Sequence, residues 1–292
     1  MNILVTTPTG QIGNQVVRGL LRAGVQPTVL VRDPARLAPD IANLVRVAQG
    51  SLNDPDAVAG AVAGVDALFW LNPPNYGSQD PIADYRRYAE TLAGALPKSG
   101  APHIVHLSSD GAEDRGGRGL IDALGDAETI LDSLGVNVLH LRPGFFFENF
   151  LWQVEAIRHG MIVQTVPGDT VTNFVATQDI AEIAVARLLA RNWSGSASQL
   201  VHGPERLSFL QAAAAISDGV GKAVAYREIS ESESRAAFLA MGGSETVATH
   251  YLQMFRAMLT HPAPADPRTP AVTGRTTLAE WAFRTLRPIV GA

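Results

Sequence analysis

The sequence predicts an α/β fold, a doubly wound parallel sheet followed by a small, mainly helical C-terminal lobe. Three observations carry that expectation. Short apolar strands alternate about six times with helix-length segments, as right-handed crossovers in a parallel sheet require. The first strand, residues 3–6, runs through a glycine turn into a helix with Val16, Val17, Leu20 and Leu21 at helical spacing. After Phe150 the alternation degrades into helical periodicity and proline.

The second strand spans residues 27–32, entered through Gly24 and ended by Asp33-Pro34, because proline cannot continue a ladder. The third covers 45–48. Asp54 or Asn53 then caps a helix over 57–62 with Pro55 in its first turn. Residues 66–71 form a continuous apolar run, suited to a strand buried on both faces. A proline-rich polar loop, 72–80, leads into a helix over 82–96. The fifth strand is 103–108, and the glycine-rich, charged segment 113–119 reads as a mobile surface loop. A helix over 123–134 ends at Gly135, and the sixth strand, 137–142, is left abruptly through Pro143-Gly144. Beyond it come short strands at 163–166 and 172–175, a helix at 178–191 and a last strand of the main sheet at 199–202. Helices at 207–220, 231–241 and 244–260, a linker at 261–270 and a closing helix at 277–286 complete the order. The expected division is a core of residues 1–150 with a returning segment 172–203, intertwined with a lobe of residues 151–292.

Composition narrows the function classes. A chain of 292 residues can bury a large core. A net charge of −5 gives no electrostatic reason to bind nucleic acid or anionic membrane. The absence of cysteine excludes disulfides, thiolate catalysis and cysteine-based metal sites, and no other metal-ligand pattern is visible. No basic-then-apolar leader precedes the first strand, and no apolar run approaches the roughly 20 residues of a bilayer span. The expectation is a cytoplasmic protein, monomer or homodimer, with a small-molecule substrate.

The turn after the first strand points to the ligand. Thr7, Thr9, Gly10, Gln11, Ile12 and Gly13 join strand to helix, where backbone N–H groups and the helix dipole hold a dinucleotide pyrophosphate. The usual pattern has three glycines; here Thr7 stands in place of one, adding a side chain where backbone must come close. Arg32 ends the second strand, where an NAD-specific chain carries a carboxylate for the ribose. An arginine there pairs instead with a 2′-phosphate, and Arg36 supplies the other half of the clamp. NADP(H) is therefore preferred, with NAD(H) the alternative that Asp33 favours.

Six blocks in order resemble a known family: residues 5–13, 31–34, 50–54, 106–109, 141–149 and 177–181, joined by 269–278. Together they are similar to the NmrA-like proteins, atypical short-chain dehydrogenases. The resemblance implies an NAD(P)-binding Rossmann-type core. It also implies an adenine-edge position at Ser51 and Leu52, although Ser51 replaces the aspartate usual there, and a structural role for Glu148-Asn149. Family members include quinone reductases, triphenylmethane-dye reductases, aromatic-ether reductases and regulators without known catalysis.

The chemistry is constrained by what the chain lacks. Asn72 and Pro73 after the fourth strand, Ser108 at the end of the fifth and Pro143 at the end of the sixth border the nicotinamide side, as ligands bind at the carboxyl edge of such sheets. Ordinary short-chain dehydrogenases place a tyrosine and a lysine four residues apart near here. No tyrosine lies between Tyr88 and Tyr226, and the two lysines are Lys98 and Lys222. Reducing a simple ketone benefits from such an acid; a quinone, dye cation or other conjugated acceptor delocalises the charge and needs mainly orientation. Phe145, Phe146, Phe147, Phe150 and Trp152, with Tyr76 opposite, are the candidate lining. Tyr76 is also a candidate acid, and Glu128, in the helix before the sixth strand, a candidate base. His140 reads as a hydrogen-bonded core histidine, and Asp179 as the cap of the helix after it. The expected function is an NADPH-dependent reductase of quinone-like or other conjugated aromatic substrates. The alternatives are a non-catalytic redox-sensing regulator and a biosynthetic isomerase or cyclase.

Overall fold

The structure, a computed structural model, describes residues 1–96, 102–260 and 268–291. Lys98 and residues 261–267 of the expected linker lie outside them. The strands are β1 (Ile3–Thr6), β2 (Thr28–Val31), β3 (Arg46–Gln49), β4 (Ala67–Leu71), β5 (His103–Leu107), β6 (Val138–Pro143), β7 (Phe145–Phe146), β8 (Met161–Gln164), β9 (Val171–Val175), β10 (Ser196–Val201), β11 (Arg206–Ser208) and β12 (Ala225–Glu228). The larger helices are α1 (Gln11–Arg22), α2 (Pro39–Ala42), α3 (Pro55–Val62), α4 (Pro81–Ala95), α5 (Leu120–Asp132) and α6 (Val154–Arg158). After them come α7 (Thr177–Ala190), α8 (Phe209–Val220), α9 (Glu231–Ala240), α10 (Glu245–Thr260), α11 (Leu278–Trp281) and α12 (Arg287–Val290).

Seven parallel strands make the main sheet in the order β10-β6-β5-β4-β1-β2-β3. The order reverses between β1 and β4, the switch point at which this class of sheet binds ligands. Successive side chains alternate faces. Ile3, Val5, Phe69, Leu139 and Leu141 pack under α1 and α7, whereas Leu4, Leu68, Trp70, Ile104 and Val138 pack under α3, α4 and α5. A further core gathers Phe147, Phe150, Phe174, Phe209, Phe255 and Trp281 from the second half of the chain.

Two carboxylates, buried Asp179 and half-buried Glu148, tie that core to the sheet. Glu148 accepts from the Thr177 backbone N–H at 3.0 Å and from Trp281 Nε1–H at 3.2 Å. Asp179 accepts from Thr276 Oγ at 2.8 Å and its backbone N–H at 3.0 Å. Asp179 thus anchors the segment before α11 and does not cap α7, which starts two residues earlier. Burial raises both carboxyls above their ordinary range, partly offset by these hydrogen bonds.

Other differences have local causes. Arg206–Ser208 form a strand because they pair with β9, so α8 begins at Phe209 behind a Ser208–Gln211 capping box. The strands β7 and β12 have two and four residues, too few to show a period. The expected loose loop at 113–119 is a tied turn. Asp122 accepts from the N–H groups of Gly116, Gly117 and Arg118 at 3.2, 2.9 and 2.9 Å, and buried Arg118 pairs with Asp114. Among the described residues no helix is long and apolar enough to cross a membrane, and no group of three metal-ligating side chains occurs.

Under α5, His106 and His140 face each other in register across β5 and β6, Nδ1 to Nδ1 at 2.9 Å, and His140 Nε2 lies 2.8 Å from Asp132 Oδ1. With both rings neutral, a hydrogen on His106 Nδ1 and one on His140 Nε2 satisfy both bonds. Burial first, and the neighbouring His140 second, hold the His106 ring well below the usual histidine range. A depressed base stabilises the fold above the unfolded value of about 6.5 and loses that contribution as pH falls below it, by at most about 1.4 kcal/mol per pH unit. Urea midpoints should therefore fall on acidification, with a smaller slope in His106→Asn, whose amide keeps the bond to His140. Equal slopes would refute the assignment.

Candidate active site

At the carboxyl edge of the sheet, Thr6 Oγ donates to the Phe69 carbonyl and accepts from Leu71 N–H, each at 3.0 Å, which joins β1 to β4 beside the switch point. The next residue, Thr7, has φ +51°, a left-handed conformation costing a non-glycine residue roughly 1–2 kcal/mol. Its carbonyl accepts from Gly10 N–H at 3.0 Å. A Cβ on Gly13 would stand 2.2 Å from that carbonyl oxygen, so α1 can sit this close to β1 only with glycine there. At Gly10 the same test gives 3.4 Å, tight but not forbidding. Thr9 and Gln11 are exposed on the turn, and Ile12 is buried beneath it. The first turn of α1 has neither a side-chain cap nor an acidic residue, which leaves its N–H groups and dipole to an anion.

Buried polar atoms of three side chains at the ends of neighbouring strands have no partner among the described residues: Thr7 Oγ, both amide atoms of Asn72, and Ser108 Oγ. Buried polar groups are nearly always paired. Three orphans around one uncapped helix start fit a ligand rich in phosphate, hydroxyl and amide groups, as a nicotinamide dinucleotide is. Pro143, at the end of β6, accepts from Asp110 N–H at 3.0 Å and extends the rim.

Past β2, Asp33 accepts from Ala35 N–H at 3.0 Å and caps the turn Pro34–Arg36. Its carboxylate is thus engaged locally. Arg32 and Arg36 are exposed, and neither forms an ion pair among the described residues. Ser51 Oγ accepts from Asn53 N–H at 3.3 Å, and Leu52 packs into the core with Leu30 and Trp70.

On the opposite side, Tyr76 meets Trp152 edge-on with centroids 5.3 Å apart and Phe238 at 6.1 Å. Trp152 is 54% and Tyr76 39% exposed, so this pair is open to a ligand. Burial raises the Tyr76 phenol above its ordinary value, so it stays protonated well past neutral pH. Phe145 and Phe146 are half-buried. Phe147 and Phe150 are not lining residues: at 2% and 1% exposure they belong to the core, against Trp281 and Phe174. Glu128 is not a free base either. It is buried and takes a bidentate pair of bonds from Arg142, at 3.0 and 2.6 Å, while Arg142 also reaches Glu113 at 3.0 Å. Phe238, which is buried, stacks on Tyr251 at 5.7 Å, and from α9 and α10 the pair backs the Tyr76 ring. No local pattern marks them, since they come from separate helices far along the chain.

A family model described as NAD(P)H-binding matches residues 8–191. The chain belongs to the NAD(P)H-binding family. The resemblance to NmrA-like atypical short-chain dehydrogenases agrees with that membership. An NAD(P)H azoreductase of Xenophilus azovorans is 30% identical over 288 residues, covering 96% of each chain. Quinone oxidoreductase 2 of Escherichia coli is 27% identical over 243 residues, 82% of each. Among solved structures, the triphenylmethane reductase of a Citrobacter species complexed with NADP(H) superimposes with a TM-score of 0.78 at 22% identity, covering 97% of this chain and 99% of that one. At this identity the likeness concerns the fold. The family's cofactor is the ligand class that the orphaned polar atoms and uncapped helix start suit.

Gly13→Ala should push α1 off the Thr7 carbonyl, cost about 1–3 kcal/mol in urea unfolding and abolish measurable NADPH binding. Thr7→Gly should stabilise the ligand-free protein by about 1 kcal/mol through relief of the left-handed strain. A neutral Gly13→Ala would remove the close-approach argument.

Proposed function

We propose that this protein is an NADPH-dependent reductase that passes hydride to a quinone-like or other conjugated aromatic acceptor held by stacking, without a tyrosine–lysine acid pair. Residues 1–150 with the returning segment 172–203 form the cofactor half, and the rest of 151–292 the substrate lobe. The observation that carries the reading is the loop 72–80. It begins with Asn72, whose buried amide is unpaired at the cofactor edge, and four residues later sets the exposed ring of Tyr76 against Trp152. The names of the relatives support the acceptor class, since azo compounds and quinones are conjugated.

When bound, NADPH supplies the hydride. The turn from Thr7 to Gly13 holds the pyrophosphate, and Arg32 and Arg36 clamp the 2′-phosphate, Asp33 being engaged by its own turn. Ser51 and Leu52 flank the adenine; Asn72, Pro73, Ser108 and Pro143 border the nicotinamide half. Tyr76, Trp152, Phe145 and Phe146 orient a flat acceptor. Charge delocalisation makes a strong acid unnecessary, and the proton comes from water or the Tyr76 phenol. The cytoplasm, where a soluble NADPH pool is at hand, is the setting we propose.

Single-turnover oxidation of NADPH across a panel of quinones, azo dyes and cationic dyes tests the reading. Absorbance loss with conjugated acceptors and none with simple ketones is expected; NADPH that binds but is never oxidised rejects it. Arg32→Ala should weaken NADPH binding about tenfold or more, the scale of a lost charge-assisted hydrogen bond, and leave NADH binding unchanged. Equal wild-type affinity for the two cofactors would rule out the clamp.

A further inference from the structure

The loop that carries Tyr76 is held from two sides. From α4, Asp84 accepts from Ser78 Oγ at 2.6 Å and from Asn75 Nδ2 at 3.2 Å. From far along the chain, Ser244 reaches it with both of its donors. The Ser244 backbone N–H donates to the Tyr76 carbonyl at 2.8 Å, and Ser244 Oγ donates to the Ser78 carbonyl. The same hydroxyl accepts from Val247 N–H at 3.1 Å, in the first turn of α10. Ser244 is 9% and Ser78 6% exposed, so these bonds are shielded from water.

The turn before Ser244 serves the same place. Gly242 has φ +88°, and a Cβ on Gly243 would stand 2.0 Å from Phe238 Cε1. The Phe238 ring therefore lies directly on the backbone of this turn, from which it meets Tyr76. One three-residue turn fixes both the carbonyl behind Tyr76 and a ring beside it.

We propose that Ser244 is a positioning residue for the aromatic acceptor, holding Tyr76 in the wall it forms with Trp152 and Phe238. This rests on the reading of that wall as the acceptor side of the site. The serine hydroxyl has one proton to give, and it goes to Ser78; the lone pair facing Val247 makes the cap. Chemistry can separate the two. Ionised aspartate is an acceptor only, so Ser244→Asp keeps the cap of α10 and the backbone bond to the Tyr76 carbonyl, but its side chain cannot donate to the loop and sets a negative charge against the Ser78 carbonyl. Threonine keeps both functions. Glycine loses the hydroxyl yet remains a tolerated cap, which provides a second variant should the aspartate fail to fold.

The test measures quinone reduction, NADPH binding and amide hydrogen exchange over residues 72–80 in the full chain. In Ser244→Asp, or Ser244→Gly, KM for the quinone should rise about tenfold or more from the misplaced ring, the loop should exchange faster, and NADPH affinity should hold. Ser244→Thr should restore both KM and protection. Unchanged loop exchange in the aspartate and glycine variants overturns the proposal. So does a rise in KM matched by losses of kcat, NADPH affinity and unfolding midpoint, which marks general destabilisation. A wild-type protein that reduces no acceptor defeats the reductase reading instead, and the exchange measurement then decides the role of Ser244.

Discussion

The contact between Gly13 and the Thr7 carbonyl governs the site. It draws α1 against the end of β1 more closely than any other residue would permit, and Thr7 accepts a left-handed backbone as the cost. The arrangement aims the free N–H groups of α1 at the switch point, beside strand ends carrying Thr7, Asn72 and Ser108. Functional sites often keep strain and unpaired polar groups that the rest of a fold avoids. Here both occur within one turn of the same strand end.

The proposed substrate side depends on a different principle. No single element builds it: a loop after β4, the turn after β7 and the α9–α10 region each contribute a ring. Their mutual placement is set by backbone hydrogen bonds and by two carboxylates, Glu148 and Asp179, that fasten the second core to α7. Buried charge is expensive unless every oxygen finds a donor. Glu148 takes its bonds from Thr177 and Trp281, and Asp179 takes two from Thr276, so each carboxylate enforces a geometry as well as a contact.

The fold was legible because parallel strands buried on both faces leave long apolar runs, as in Ala67–Leu71, and because Asp54, Pro55, Gly24 and Gly135 punctuate the helices. The strand at Ser196–Val201 was placed within three residues and in the main sheet. Its neighbours β7, β11 and β12 were missed or mistaken for helix, since pairing partners decide such short strands and periodicity does not. At the site, the glycine turn could be read from spacing alone. The fates of Phe147 and Phe150 could not, because aromatic composition does not tell which face of a turn meets the core. Glu128 and Asp179 were misjudged for one reason: a carboxylate's role depends on the partner that reaches it, Arg142 in one case and Thr276 in the other.

Residues 268–290 have a consequence for how the protein is made. Their segment lies against the carboxyl end of β10: Gln199 Nε2 donates to the Ala271 carbonyl, His202 N–H to Val272, and Gly274 N–H back to His202. Trp281 reaches Glu148 across 133 positions and Thr276 reaches Asp179 across 97. Contacts so distant in sequence form slowly, although the entropy of closing such loops grows only logarithmically with length. During synthesis the parallel sheet therefore emerges before Thr276, the partner of Asp179, and before the indole that completes Glu148. Completion waits for a segment made long after the sheet, and until then the end of β10 is open to another unfinished chain.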